Sequence, residues 1–241
     1  MDRGVAPQMV LLAAVALSAC SPAPTPDLPV DEIVSRSAGR MRSMPGFHFL
    51  IEREGASAFL DPQDTLSFRR AEGEYASPDR VQATIRVIAP GMVAEISVIS
   101  IGAVQWETDF LTGEWQELPP DWGFNPAVLF DPESGIQAAL VEDLSGLVLL
   151  GTEELEETPG QRLYHLQGRF AGERLYAVSY GMIGPEAADA ELWIAPGTFE
   201  VYRMILVEPG EEEDTIWTID FWDFDQIPEI LPPILGDQPA E

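Results

Sequence analysis

Lysine is absent from this sequence. All 13 basic residues are arginines, which excludes a Walker-type phosphate lysine, a Schiff-base lysine and a lysine general base. Cysteine occurs once, at Cys20, so intrachain disulfides, CxxC redox pairs and cysteine-rich zinc sites are excluded. The two histidines, His48 and His165, stand far apart on separate predicted strands, and neither HExxH nor GxSxG is present. No glycine-rich loop follows a predicted strand and opens a helix, which argues against a nucleotide site. Positive charge is scarce: 41 acidic residues against 13 basic leave −28. Such a chain is repelled by nucleic acid, whose binding requires cations to neutralise phosphates. Carboxylate pairs are so abundant that no glycosidase-like pair can be singled out. The acidic run EPGEEED (208–214) does not have EF-hand spacing and reads as a solvated hairpin tip. No catalytic constellation emerges, so neither enzymatic activity nor a cofactor or metal is expected.

Long hydrophobic runs are also missing. The longest, Met9 to Leu17, has nine apolar residues, far short of the ~20 that span a bilayer. It matches the h-region of a signal peptide. The following Leu17-Ser18-Ala19-Cys20 resembles the bacterial lipobox, in which the thiol is diacylated and the chain is cut just before it. An ordinary signal peptide with an incidental cysteine, or a buried N-terminal helix, are the alternatives. The lipobox reading makes residues 1–19 a lipoprotein signal peptide and Cys20 a membrane attachment point. Stable anchoring needs more than one acyl chain, at ~0.8 kcal/mol per buried CH₂, and an acylated cysteine carries two or three. Residues 20–29 contain prolines 22, 24, 26 and 29. They read as a polyproline stalk, which at ~3.1 Å per residue reaches roughly 30 Å.

With 241 residues, 46% of them hydrophobic, the chain has enough apolar material for one large domain or two small ones. No second proline-rich linker appears before the C-terminus, so residues 30–225 read as one domain and 226–241 as a flexible tail. Residues 30–44 have helical spacing, with Asp31 and Glu32 in the first turn, Arg40 and Arg42 near the last, and Pro45-Gly46 as the stop. After that, period two dominates. Phe47, Phe49 and Ile51 share a face, as do Val81, Ala83, Ile85 and Val87. Met92, Ala94, Ile96 and Val98 oppose Glu95 and Ser97, and Val104 and Trp106 oppose Gln105 and Glu107. Short helices are predicted at Pro126–Phe130, at Glu133–Leu144 and in GERLYAVSYGMI. Strands are predicted in LVLLGTEEL, RLYHLQGRF, AELWIAPG, FEVYRMILVE and DTIWTIDFWDF. The class is α+β, mainly β. About nine or ten antiparallel strands must curl to bury their apolar face, and the few helices cover that concave face. The stretch holding Trp106, Phe110, Trp115, Trp122, Phe124 and Phe130 is loop-rich, and loops that carry so many rings suit a pocket rim or a membrane contact.

The stretch VISIGAVQWETDFLTGEWQELPPDWGFNPAVLFDPESGIQAAL resembles the LppX/LprAFG lipoproteins. It carries the aromatic after Val104, Thr112-Gly113 before Trp115, the Asn125-Pro126 helix start, Phe130-Asp131-Pro132 and Ser134-Gly135-Ile136. GTEEL, GQRLYHLQGRF and ELWIAPGTFEVYRMIL resemble the closing strands. The resemblance spans about residues 30–225. It implies a LolA/LolB-like half-open β-barrel with helices in its mouth and a hydrophobic cavity that takes lipid acyl chains. It also implies a role in carrying lipids or glycolipids through the cell envelope, with a lipid exporter as a possible partner. Localisation would be the extracytoplasmic face of the cell membrane, through the acylated N-terminus. A non-catalytic assembly or interaction module with a filled core is the alternative, and an envelope hydrolase a further one. From strand parity, the cavity lining is expected to include Phe47, Phe49, Ile51, Val87, Ile96, Val98 and Trp106. The helical lid would add Leu129, Phe130, Ile136 and Leu140.

Overall fold

The computed structural model describes residues 28–61, 63–119, 125–210 and 213–235. Cys20, the signal segment, most of the proline stalk, Trp122 and Phe124 lie outside the described residues. Helix α1 runs Val30–Arg42. Its acidic first turn and basic last turn complement the helix dipole, and Ile33, Val34, Ala38 and Met41 bury one stripe. Six strands follow: β1 Gly46–Glu54, β2 Ser67–Ala76, β3 Arg80–Ala89, β4 Met92–Ile101, β5 Val104–Thr108 and β6 Trp115–Glu117. A 3-10 helix, Pro126–Phe130, and α2, Ile136–Glu142, interrupt the strands. The sheet resumes with β7 Leu144–Glu153 and β8 Leu163–Phe170. Helix α3, Gly172–Val178, precedes β9 Ala188–Ile194, β10 Val201–Glu208 and β11 Thr215–Trp222.

Among the described residues all eleven strands form one antiparallel sheet, in the order β6-β5-β4-β3-β2-β1-β11-β10-β9-β8-β7. Two meanders are joined where β1 meets β11, with Phe49 opposite Phe221 and Ile51 opposite Ile219. The two ends, β6 and β7, are not paired, so the curved sheet is a half-open barrel. Its pleat follows the sequence alternation: in β3, Val81, Ala83, Ile85 and Val87 are buried while Gln82, Thr84 and Arg86 are exposed. The inward rows of the sheet and the buried stripes of the helices merge into one apolar cluster on the concave side.

Three features depart from the sequence expectation. Strand β2 was not predicted, because Arg69, Arg70, Glu72 and Glu74 dominate its composition. A register shift between Phe68 and Arg70 also breaks its alternation. The helix expected over Glu133–Leu144 starts only at Ile136. The preceding residues form a turn in which Asp131 Oδ1 accepts from Glu133 N and Ser134 N, and Gly135 N donates to Asp131 O. Gly135 has to be glycine there, since a Cβ would lie 2.5 Å from Leu129 O and 2.7 Å from Asp131 O. The segment after β11, expected as part of a flexible tail, is instead pinned at Ile230 to the convex side of the sheet. Ile230 is 1% exposed and packs with Ala76, Ile99 and Trp106. Arg80 Nη1 donates to Ile230 O at 3.0 Å.

Candidate functional site: an apolar cavity under a helical lid

Between the concave face and the helices lies a space of about 740 Å³ free of protein atoms, partly open to solvent. It is narrow. Between floor and roof there is room for only a few water molecules. The floor is built by inward positions of five strands: Phe49 and Ile51 from β1, Phe68 and Ala71 from β2, Ala83 and Ile85 from β3, Met204 and Leu206 from β10, and Trp217 and Ile219 from β11. The roof comes from Pro126 and Leu129 of the 3-10 helix, Ile136 at the start of α2, Leu175 and Val178 of α3, and Ser179, Met182 and Ile183 after it. Leu60, in the β1–β2 connection, closes one side. Ser179 is the one hydroxyl on the wall. Its Oγ accepts from Ile183 N at 3.0 Å and lies 3.4 Å from Tyr176 O, so the wall presents no unsatisfied polar group of its own.

The lid is fixed to the sheet by apolar anchors and polar clasps. Phe130 is the main anchor: its ring centroid lies 4.7 Å from Phe49, 5.2 Å from Phe47, 5.6 Å from Tyr75 and 6.3 Å from Phe221. Asn125 caps the 3-10 helix. Its Oδ1 accepts from Ala127 N at 2.9 Å and from Ser100 Oγ at 2.6 Å, and its Nδ2 donates to Gly102 O at 3.1 Å. Arg174 of α3 pairs with Glu142 and Asp143 at the end of α2. The Arg174 guanidinium is held above its ordinary pKa by the hydrogen bond to Asp143. Glu208, at the end of β10, accepts from Gly184 N and from Trp217 Nε1, both at 2.5 Å. That carboxylate ties the segment after α3 to the cavity floor.

The eleven residues expected to line the cavity divide into three groups. Phe49, Ile51, Leu129 and Ile136 are on its wall. Phe47, Val87, Ile96, Val98, Phe130 and Leu140 belong to the same continuous apolar cluster but lie off the wall, because the Phe130 rosette fills that end of the concave space. Trp106 stands apart. Its ladder partner is Ile99 rather than Val98, which turns its ring to the convex side, against Ala76 and Ile230 with Trp115 alongside. The wall residues that sequence reasoning missed come from β2, from Ala83 and Ile85 of β3, from Leu60 and Pro126, from α3 and the segment after it, and from the two last strands. The period-two patterns of β10 and β11 and the helical pattern after Phe170 were visible; what was missing was their spatial adjacency to β1.

The chain matches the family model described as LppX_LprAFG lipoprotein over residues 30–227. Two solved structures share its fold. LprF from Mycobacterium bovis superposes with a TM-score of 0.65 at 14% identity, covering 86% of this chain and 97% of that one. Lipoprotein LppX from Mycobacterium tuberculosis superposes with a TM-score of 0.58 at 13% identity, covering 83% and 97%. No curated protein sequence matches the chain. Among the described residues no helix is long and apolar enough to cross a membrane.

Proposed function

We propose, from the premise that this chain belongs to the LppX_LprAFG lipoprotein family, that it is anchored to the cell membrane through acylated Cys20. There it holds lipid acyl chains in the cavity under its lid and carries lipids or glycolipids through the envelope. The observation that carries this reading is the cavity wall: apolar on floor and roof, with its single hydroxyl internally bonded. Such a wall favours methylenes over any polar ligand. Ten buried CH₂ groups contribute about 8 kcal/mol, the free energy of a complex near micromolar. Part of that is offset by the several kcal/mol it costs to order and immobilise a ligand.

The narrow space requires the lid to move outward for a chain to enter. The elements of the lid are short: five residues in the 3-10 helix and seven each in α2 and α3. Several of their fastenings are polar and near the surface, and partly exposed ion pairs of this kind contribute about 0–1 kcal/mol each. Opening at α2 and α3 therefore gives up weak ion pairs, while Phe130 and the Asn125–Ser100 clasp hold the 3-10 helix in place. A membrane-embedded lipid exporter is the natural donor for a carrier tethered beside it. The second reading, an interaction module with a filled core, draws on the Phe130 rosette, which already occupies one end of the concave space.

Native mass spectrometry of protein purified from its own host separates the two. Lipid adducts at near-stoichiometric occupancy are expected, and a uniformly empty protein overturns the carrier reading in favour of the filled-core module.

A further inference from the structure

The inward row of β1 does not end in an apolar residue. Phe47, Phe49 and Ile51 are followed on the same face by Arg53, which is 4% exposed. Its Nε and Nη1 are buried and have no hydrogen-bond partner among the described residues. Its guanidinium carbon lies 5.6 Å from the ring centroid of Trp217, its cross-strand neighbour and part of the cavity floor. A cation over an indole is only partly compensated for the hydration it has lost.

Carboxylates are abundant in this chain, yet among the described residues none forms a hydrogen bond or ion pair with Arg53. Glu208 and Glu213 act on it only through their charge, and both oxygens of Glu208 are engaged with Gly184 and Trp217. Arg69 sits at the β2 irregularity just beyond the Glu52–Arg70 pair, so it neighbours Arg53 across the strands. Every other described arginine donates to a carboxylate, carbonyl or hydroxyl oxygen, or, for Arg169, forms an ion pair with Asp189. The two that do not, Arg53 and Arg69, flank the wall without lining it: Arg53 lies against Trp217, and Arg69 follows Phe68. Burial, and then repulsion from Arg69, push the Arg53 guanidinium below its ordinary pKa. An arginine held this way has open donors in a planar fork, the geometry that binds a phosphate or carboxylate through two hydrogen bonds.

We infer that Arg53, with Arg69 beside it, receives the anionic headgroup, a phosphate or carboxylate, of the lipid whose chain occupies the cavity, an inference that rests on the lipid-binding reading above. The apolar wall then selects for chain and the arginine pair for charge. A neutral lipid of the same chain length offers the Arg53 fork only an uncharged acceptor and binds more weakly.

The test uses the delipidated full-length protein and two probes of equal chain length, hexadecyl phosphate and hexadecanol, read by native mass spectrometry in competition. A charge-assisted contact predicts an occupancy preference for the phosphate of about 10- to 100-fold. Arg53→Gln should bring the preference close to parity, chiefly by lowering hexadecyl phosphate occupancy. Arg69→Gln should reduce the preference partially, and Arg53→Lys should retain part of it. Removing an unpaired buried charge does not threaten folding, and the unfolding temperature of each variant verifies this. Equal occupancy by both probes in the wild type overturns the headgroup assignment and leaves lipid binding standing. If excess inorganic phosphate binds on its own, dependent on Arg53, and abolishes the preference, the site serves free anions and the headgroup assignment falls. Failure of both probes to bind overturns this inference together with the carrier reading.

Discussion

Ala71→Leu tests whether the space under the lid is open to a chain. Ala71 lies on β2 between Ile51 of β1 and Ile85 of β3, its direct cross-strand neighbours, and all three face the cavity. Its short side chain leaves a gap between two isoleucines. Leucine adds three carbons there. If the gap is empty, each carbon buried contributes about 0.8 kcal/mol, so the variant gains up to about 2.4 kcal/mol. For a chain of this size that raises the unfolding temperature by roughly 5–10 °C. If the region is already close-packed, the same carbons cost about 1–3 kcal/mol through displaced rotamers and backbone shifts, and the temperature falls. The sign of the change therefore decides between an open cavity and a filled core. Differential scanning calorimetry on lipid-free protein reads the sign, and native mass spectrometry on protein from the host reads occupancy. A neutral or raised unfolding temperature with loss of lipid adducts is expected. A temperature lowered by more than about 3 °C, with adducts at wild-type level, would refute both the location of the chain and the emptiness of the site.

Three further outcomes are expected. Asn125→Ala removes the cap of the 3-10 helix and leaves the buried Ser100 hydroxyl without its acceptor; a loss of about 2–4 kcal/mol in urea unfolding is expected, and a loss below ~0.5 kcal/mol would show that the cap does not hold the lid. For His48, burial lowers the imidazole pKa, but hydrogen bonds to Glu74 at 2.7 Å and Asp223 at 2.9 Å outweigh it and leave the pKa raised above 6.5. The folded state therefore binds the proton more tightly than the unfolded chain, so the contribution is complete below the unfolded pKa and is lost as pH rises through the folded one. The stability difference between wild type and His48→Gln should shrink as pH rises from below 6.5 through the raised folded-state pKa, and a difference that is flat or grows as pH rises contradicts the pairing. Cys20→Ser should move the protein from the detergent to the aqueous phase in Triton X-114 partitioning; persistence in the detergent phase would mean that something other than an acylated thiol anchors it.

Much of the fold was legible because its signals are local. The dipole-matched ends and buried stripe of α1, the alternation of β3 and β4, and the Asn125-Pro126 start of the 3-10 helix each depend on a few consecutive residues. The features that escaped are those where local signals compete. In β2 the bulge at Arg69 shifts the phase of the alternation and hides a ten-residue strand. In β5 both faces carry residues that can be buried, so parity within the strand does not say which face is inside. Register with β4 decides it, and places Trp106 opposite Ile99. The C-terminal segment is rich in proline and reads as unstructured, yet its backbone carbonyl at Ile230 meets the Arg80 guanidinium and its side chain meets an apolar patch on the convex side. No window of sequence contains both partners.

The sequence by itself determined that the chain makes an antiparallel sheet with few helices, because period-two burial and turn residues are properties of single strands and hairpins. It also determined the family, because the order of degenerate motifs survives where the individual residues do not. Only the tertiary structure decided where the cavity is. The pairing of β1 with β11 brings Trp217 and Ile219 beside Phe49 and Ile51 across a separation of more than 160 residues, and the ring of Phe130 fills one half of the concave space while leaving the other open. The same closure turned Arg53 from one charge among many on a strand into a buried cation over Trp217 with no hydrogen-bond partner among the described residues. Burial and pairing belong to positions in space, and residues distant in sequence set them.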